Sequence, residues 1–168
     1  MAIAERINAL NAAEATTAMT NCCAAQKWIE AMMACRPFDD DEHVLARAEA
    51  IWRQLDGDAW REAFAAHPKI GDLDSLRARF ADTRAWAGDE QAGVTGADEE
   101  VLRQLARLNG EYENRFGHIF IVCATGKSAA EMLAILQSRI DNAPDKELRI
   151  AAEEQLKITL IRLRKLAP

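Results

Sequence analysis

Aromatic residues make up only 6% of this 168-residue chain, and Gly, Pro, Cys and His number just 8, 4, 4 and 3. Sparse Gly and Pro, together with the lack of long alternating β-branched runs, argue against an all-β architecture. The four cysteines, Cys22, Cys23, Cys35 and Cys123, include no C-x-x-C pair and are too few for a disulfide-held scaffold. They are expected to be reduced and mostly packed, and no metal site is expected from them because their spacing matches no usual zinc pattern. No uninterrupted apolar run approaches the roughly 18 residues of a membrane span. Basic residues are also in deficit, 21 Lys and Arg against 27 Asp and Glu for a net charge of −6, so neither nucleic acid nor an anionic membrane surface is expected as a partner. A small anionic molecule remains compatible, since a few pocket arginines act locally whatever the global sign.

The opening residues Met1-Ala2-Ile3-Ala4-Glu5-Arg6 lack a signal peptide's basic-then-apolar pattern, and the chain ends Leu166-Ala167-Pro168 rather than in a Ser-Lys-Leu peroxisomal address. Cytoplasmic localisation is the expectation.

What the sequence has in quantity is helix-forming residues. Hydrophobic residues reach 49%, Ala is abundant, and the length lies well below the roughly 250–300 residues at which single cores split. We therefore expect an all-α chain, 1–168 forming a single compact domain of about seven to eight helices. Helices are predicted over residues 2–10, from about 20 to Pro37, and over 44–55 behind the acidic Asp39-Asp40-Asp41-Glu42, whose charge suits a helix N-terminus. Trp52 lies on the apolar stripe of the last and is expected in the core. Gly57-Asp58 is read as the cap of a short helix over 59–66, followed by helices over 73–80, 98–115, 129–140 and 144–166. Ser128-Ala129-Ala130-Glu131 reads as a capping box, and Pro144 suits a first helical position. Residues 119–124 are six consecutive apolar residues, either a buried extended segment or the first turns of a core helix.

Among the histidines, His67 has the context least explained by packing. It follows an amphipathic helix and precedes a proline in the turn His67-Pro68-Lys69-Ile70-Gly71-Asp72, where an imidazole either caps the preceding carbonyls or serves as a proton donor and acceptor. His43, in a charged first turn, is expected at the surface, while His118 fits either a pocket wall or a satisfied boundary position. Gly126-Lys127-Ser128 resembles the end of a P-loop, but the glycine required five residues earlier is Ile121, so a nucleotide site is rejected. Glu90-Gln91, flanked by Gly88 and Gly93, offers a charged acceptor and an amide in a loop, and taken alone fits a solvated pair. Arg162 and Arg164 lie among apolar neighbours, which places one of them partly inside and in need of an anionic partner from protein or ligand.

Four blocks in order carry a resemblance: His67-Pro68-Lys69-Ile70-Gly71-Asp72, Glu90-Gln91-Ala92-Gly93, the stretch YENRFGHIFIVCATGKS from Tyr112 to Ser128, and KITLIRL from Lys157 to Leu163. Together they resemble the 2-oxo-4-hydroxy-4-carboxy-5-ureidoimidazoline (OHCU) decarboxylases of urate catabolism. The resemblance implies an all-helical, cofactor-independent carboxy-lyase, commonly a homodimer, that releases CO2 from a small-molecule substrate and yields (S)-allantoin. By position it implies catalytic roles for His67 as proton donor or acceptor, Glu90 as its polar partner and Arg162 as the pocket arginine. Further substrate contacts would come from Pro68, Ala87, Gly88, Asp89 and Gln91, and from Phe120, Ile121, Val122, Cys123 and Ala124, partly through backbone groups. One departure stands out: Ala87 occupies a position where the family often has serine. It leaves room for a related lyase or hydrolase acting on another ureido compound, and a catalytically silent helical binding module is the third alternative.

Overall fold

The computed structural model describes residues 1–69, 71–86 and 95–167, with the backbone alone for 81–86 and 95–98. Among these residues there are nine helices and no strand: α1 (Ile3–Ala9), α2 (Ala12–Cys22), α3 (Gln26–Ala34), α4 (Asp41–Gln54), α5 (Gly57–Ala65), α6 (Leu73–Trp86), α7 (Thr95–Phe116), α8 (Ala129–Arg139) and α9 (Pro144–Arg164). The all-α expectation holds, with more helices than anticipated. The chain forms two compact units, Met1–His67 with Ala152–Pro168, and Pro68–Ala151.

In the first unit the extra helix is α2. Asn11 opens it by accepting from Glu14 N at 2.9 Å, while the Glu14 carboxylate accepts from Asn11 N at 3.1 Å, a reciprocal cap. The single helix expected to run on to Pro37 is broken at Cys23, whose φ of −157° is extended. The restart at α3 has no local side-chain cap; Gln26 N donates instead to Glu62 Oε1 at 2.5 Å, from α5. α4 begins behind Asp40, which accepts from His43 N. α5 is capped by Asp56 accepting from Ala59 N at 3.0 Å, one residue earlier than the Gly57-Asp58 cap expected.

Three indoles tie this unit together, each donating its N–H to a backbone carbonyl: Trp28 to Ala48 O at 3.1 Å, Trp52 to Ala152 O at 2.9 Å and Trp60 to Trp52 O at 3.1 Å. A large apolar body is thereby buried without orphaning its donor. Trp52 is core, as its stripe predicted. His43 corrects the expectation of exposure: it is half-buried, edge-on to Phe38 and paired with Asp39 at 3.3 Å, because it sits where the α4 N-terminus meets the preceding loop.

In the second unit α7 packs on α6 and α8 around Leu76, Leu102, Leu105 and Leu136, all buried. Burying each such leucine contributes about 1.5–3 kcal/mol relative to exposure. α6 extends to Trp86, past the predicted end at Phe80. Gly117, at φ +77°, lets the chain leave α7, its N–H closing on Glu113 O at 2.8 Å. Residues 119–124 form no helix and link α7 to α8, with Ile121 and Cys123 buried between half-buried neighbours. Ser128 caps α8 by accepting from Glu131 N at 3.1 Å and donating to its carboxylate at 3.2 Å.

This non-helical segment is held by a buried charge. Arg139, 5% exposed, donates through Nη1 to Ile121 O at 2.8 Å, and its guanidinium carbon lies 4.6 Å from the centre of the Phe120 ring. Its counter-charge is Glu147, 0% exposed, which accepts from Arg139 Nε at 2.7 Å, Tyr112 Oη at 2.6 Å and Asn142 Nδ2 at 3.0 Å.

Candidate functional site

The first unit carries a pocket of about 590 Å³ where the C-terminal ends of α2 and α5 meet the last turns of α9. α5 closes with Ala66 N on Ala63 O at 3.3 Å and His67 N on Phe64 O at 3.1 Å. Pro68 then disfavours further helix, and the imidazole is left half-buried at the pocket wall. Its ring does not cap the preceding carbonyls, as one sequence alternative had it; Nε2 lies 2.5 Å from Gln155 Oε1.

Gln155, Thr159 and Arg162 follow the i, i+4, i+7 spacing that puts side chains on one face of a helix, here α9. Gln155 and Thr159 are each 1% exposed. Gln155 Nε2 donates to Thr159 Oγ1 at 3.2 Å, and Thr159 Oγ1 donates to the Gln155 carbonyl at 3.0 Å. One turn on, Arg162 Nη1 reaches Asn21 O and Cys22 O, each at 3.4 Å, the orphan carbonyls ending α2. The sequence placed one of the two arginines partly inside: Arg162 is half-buried and Arg164 exposed. Among the described residues its protein partner is a pair of carbonyl dipoles rather than a carboxylate.

Burial lowers the His67 pKa from its ordinary 6.5, and the nearby Arg162 charge lowers it further against an opposing contribution from the Gln155 bond. At neutral pH the ring is therefore uncharged and able to accept a proton. Cys22 lines the same pocket, but burial pushes its thiol up to about 11, and Cys23 beside it likewise to about 11. Neither supplies a thiolate nucleophile near neutrality. Among the described residues no three His, Cys, Asp or Glu side chains converge to hold a metal ion.

Of the residues singled out from sequence, His67 and Arg162 come together in this pocket. Ala87, Gly88, Asp89, Glu90 and Gln91 lie outside the described residues. Pro68 and the segment from Phe120 through Ile121, Val122 and Cys123 to Ala124 belong to the second unit. His118 occupies a packed boundary position there, edge-on to Tyr112. Lys127 donates to Cys123 O at 2.8 Å, a structural bond. Sequence reasoning missed Gln155; the signal was a polar residue beside Thr159 on the otherwise apolar stripe Ala152, Leu156, Leu163.

The OHCU decarboxylase family model matches residues 8–164. An Arabidopsis thaliana uric acid degradation bifunctional protein is 35% identical over 86% of this chain, which spans 45% of that protein's length. The 2-oxo-4-hydroxy-4-carboxy-5-ureidoimidazoline decarboxylase of Amia calva is 32% identical, the alignment covering 76% of this chain and 73% of the relative. A crystal structure of an OHCU decarboxylase in the presence of (S)-allantoin superposes with a TM-score of 0.68 at 37% identity, covering 88% of this chain and 94% of that one. No described helix is long and apolar enough to cross a membrane. The chain belongs to the OHCU decarboxylase family.

Proposed function

We propose that the chain decarboxylates OHCU to (S)-allantoin in urate catabolism, that it does so without a cofactor, and that His67, Glu90 and Arg162 carry the reaction. The observation that supports this reading most is the shared pocket: in a chain whose family match runs through residues 8–164, His67 and Arg162 line one cavity, the imidazole neutral and the guanidinium free of any carboxylate partner among the described residues.

Many decarboxylases borrow an electron sink from a cofactor. OHCU carries its own, a C=N next to the carboxylated carbon. As the C–CO2 bond breaks, its electron pair forms a C=C bond and the C=N π pair moves onto nitrogen, which takes up a proton. The 4-hydroxyl then loses its proton to become the carbonyl while the ureido-bearing carbon gains one, setting the stereocentre. Starting from the carboxylate, one proton is consumed overall and CO2 leaves. His67 accepts the hydroxyl proton and returns it on one face, Arg162 holds the developing negative charge, and Glu90 engages a substrate N–H. Pro68, the loop Ala87 to Gln91 and the segment Phe120 to Ala124 make the remaining contacts. General acid–base catalysis of this kind contributes about 10² to 10⁴-fold.

The continuous family match supports treating 1–168 as one OHCU decarboxylase-like domain, and the resemblance supports a cytoplasmic homodimer. Ala87, lacking the hydroxyl often found there, favours a second candidate, a related lyase or hydrolase of another ureido compound. Freshly generated OHCU separates the two. Accelerated loss of its transient absorbance with optically active allantoin as product is expected; spontaneous decay at an unchanged rate to racemic allantoin would exclude the decarboxylase.

A further inference from the structure

We infer that Gln155, itself oriented by Thr159, is a positioning residue that locks His67 as the Nε2–H tautomer and leaves Nδ1 as the ring nitrogen that accepts the substrate proton. The inference rests on the decarboxylase reading above for what Nδ1 does, but the tautomer follows from hydrogen-bond accounting alone.

The accounting starts at Thr159. A hydroxyl has one proton, and Thr159 Oγ1 directs it to the i−4 carbonyl of Gln155 at 3.0 Å. Toward any other neighbour the oxygen can then only accept, and the Gln155 side-chain group 3.2 Å away must be its NH2 end. That fixes the amide: Oε1 points at His67. A carbonyl oxygen has no proton to give, so the contact at 2.5 Å exists in a neutral imidazole only if Nε2 carries the hydrogen. Nδ1 is then the lone-pair nitrogen, and it has no partner among the described residues.

With Gln155 and Thr159 both 1% exposed, water is not available to substitute for either bond, and reversing the amide would set NH2 against Nε2 and demand a second proton from Thr159.

The test uses the 168-residue chain labelled with 15N-histidine. Only three histidines are present, so comparison with His67→Gln assigns the His67 ring. In the wild type near neutral pH we expect protonated Nε2, unprotonated Nδ1 and an Nε2 proton shielded from solvent exchange. Gln155→Leu should lose that shielding and lower kcat by about 10-fold or more with KM nearly unchanged, since proton transfer rather than binding is impaired. Thr159→Val should behave in the same direction, and Thr159→Ser, which keeps the hydroxyl, should retain wild-type kcat and the shielded proton. A wild-type ring protonated at Nδ1, or a folded Gln155→Leu with unchanged kcat, overturns the inference. Absence of wild-type turnover on OHCU would instead defeat the decarboxylase reading, with the tautomer still legible in the spectrum.

Discussion

Replacing Glu147 by Gln tests whether one buried ion pair secures the second unit. The carboxylate, fully buried, is the shared acceptor for Tyr112 Oη, Arg139 Nε and Asn142 Nδ2, and its Oε1 lies 2.5 Å from Arg139 Nη2. An amide in its place would preserve shape and one acceptor oxygen but remove the charge. Arg139, 5% exposed and always protonated, would keep the amide oxygen, the Ile121 carbonyl and the Phe120 face but no counter-charge. Breaking a buried pair in this way typically costs about 3–5 kcal/mol, because the surviving charge remains desolvated. With a urea m-value of about 2 kcal/mol/M, the unfolding midpoint should fall by about 1.5–2.5 M, read by far-UV circular dichroism.

The decisive comparison is the double variant Arg139→Met/Glu147→Gln. It removes both charges yet leaves an acceptor oxygen for Tyr112, so it should be more stable than Glu147→Gln alone. A loss below about 1 kcal/mol for the single change, or a double variant less stable than the single, would refute the reasoning, because either result means that Arg139 does not depend on its counter-charge.

Three further expectations concern the first unit. Arg162→Lys replaces a guanidinium whose Nη1 holds the two carbonyls of α2, leaving its other donors for substrate, with a point charge that cannot serve both, and losing one charge-assisted bond of about 1.5–3 kcal/mol should lower kcat/KM on OHCU by about 10- to 100-fold; full activity would rule out that role. Because burial and then the Arg162 charge lower the His67 pKa, the neutral ring persists to lower pH, so the acid limb of the kcat/KM profile should fall below 6.5; a limb at or above 6.5 contradicts it. Asn11→Ala removes the reciprocal cap of α2 and should cost about 1 kcal/mol, some 2–4 °C of melting temperature, whereas an unchanged melting temperature would mean the cap is not stabilising.

Periodicity and punctuation made most helices legible, since Pro37, Ser128 and Pro144 act through their own backbone geometry. The break between α2 and α3 was not legible for the opposite reason: the first turn of α3 is satisfied by Glu62, 36 residues away, and neither Gly nor Pro marks the spot. Asn11-Ala12-Ala13-Glu14 did carry a cap signature that identifies α2. His67 stood out because Pro68 ends its helix, a local effect. Gln155 and Glu147 did not, although each puts a polar group on a buried stripe of α9; what they bond, His67 and Tyr112 respectively, is 88 and 35 residues distant in sequence. A buried polar residue on an apolar stripe announces that a partner exists without saying which.

The most direct measurement is product chirality and OHCU decay rate for wild type against His67→Ala, with folding checked by circular dichroism. If the His67 imidazole carries the proton transfer, wild type gives (S)-allantoin rapidly and folded His67→Ala leaves the slow spontaneous decay to racemate. Rapid formation of (S)-allantoin by His67→Ala would contradict that role outright.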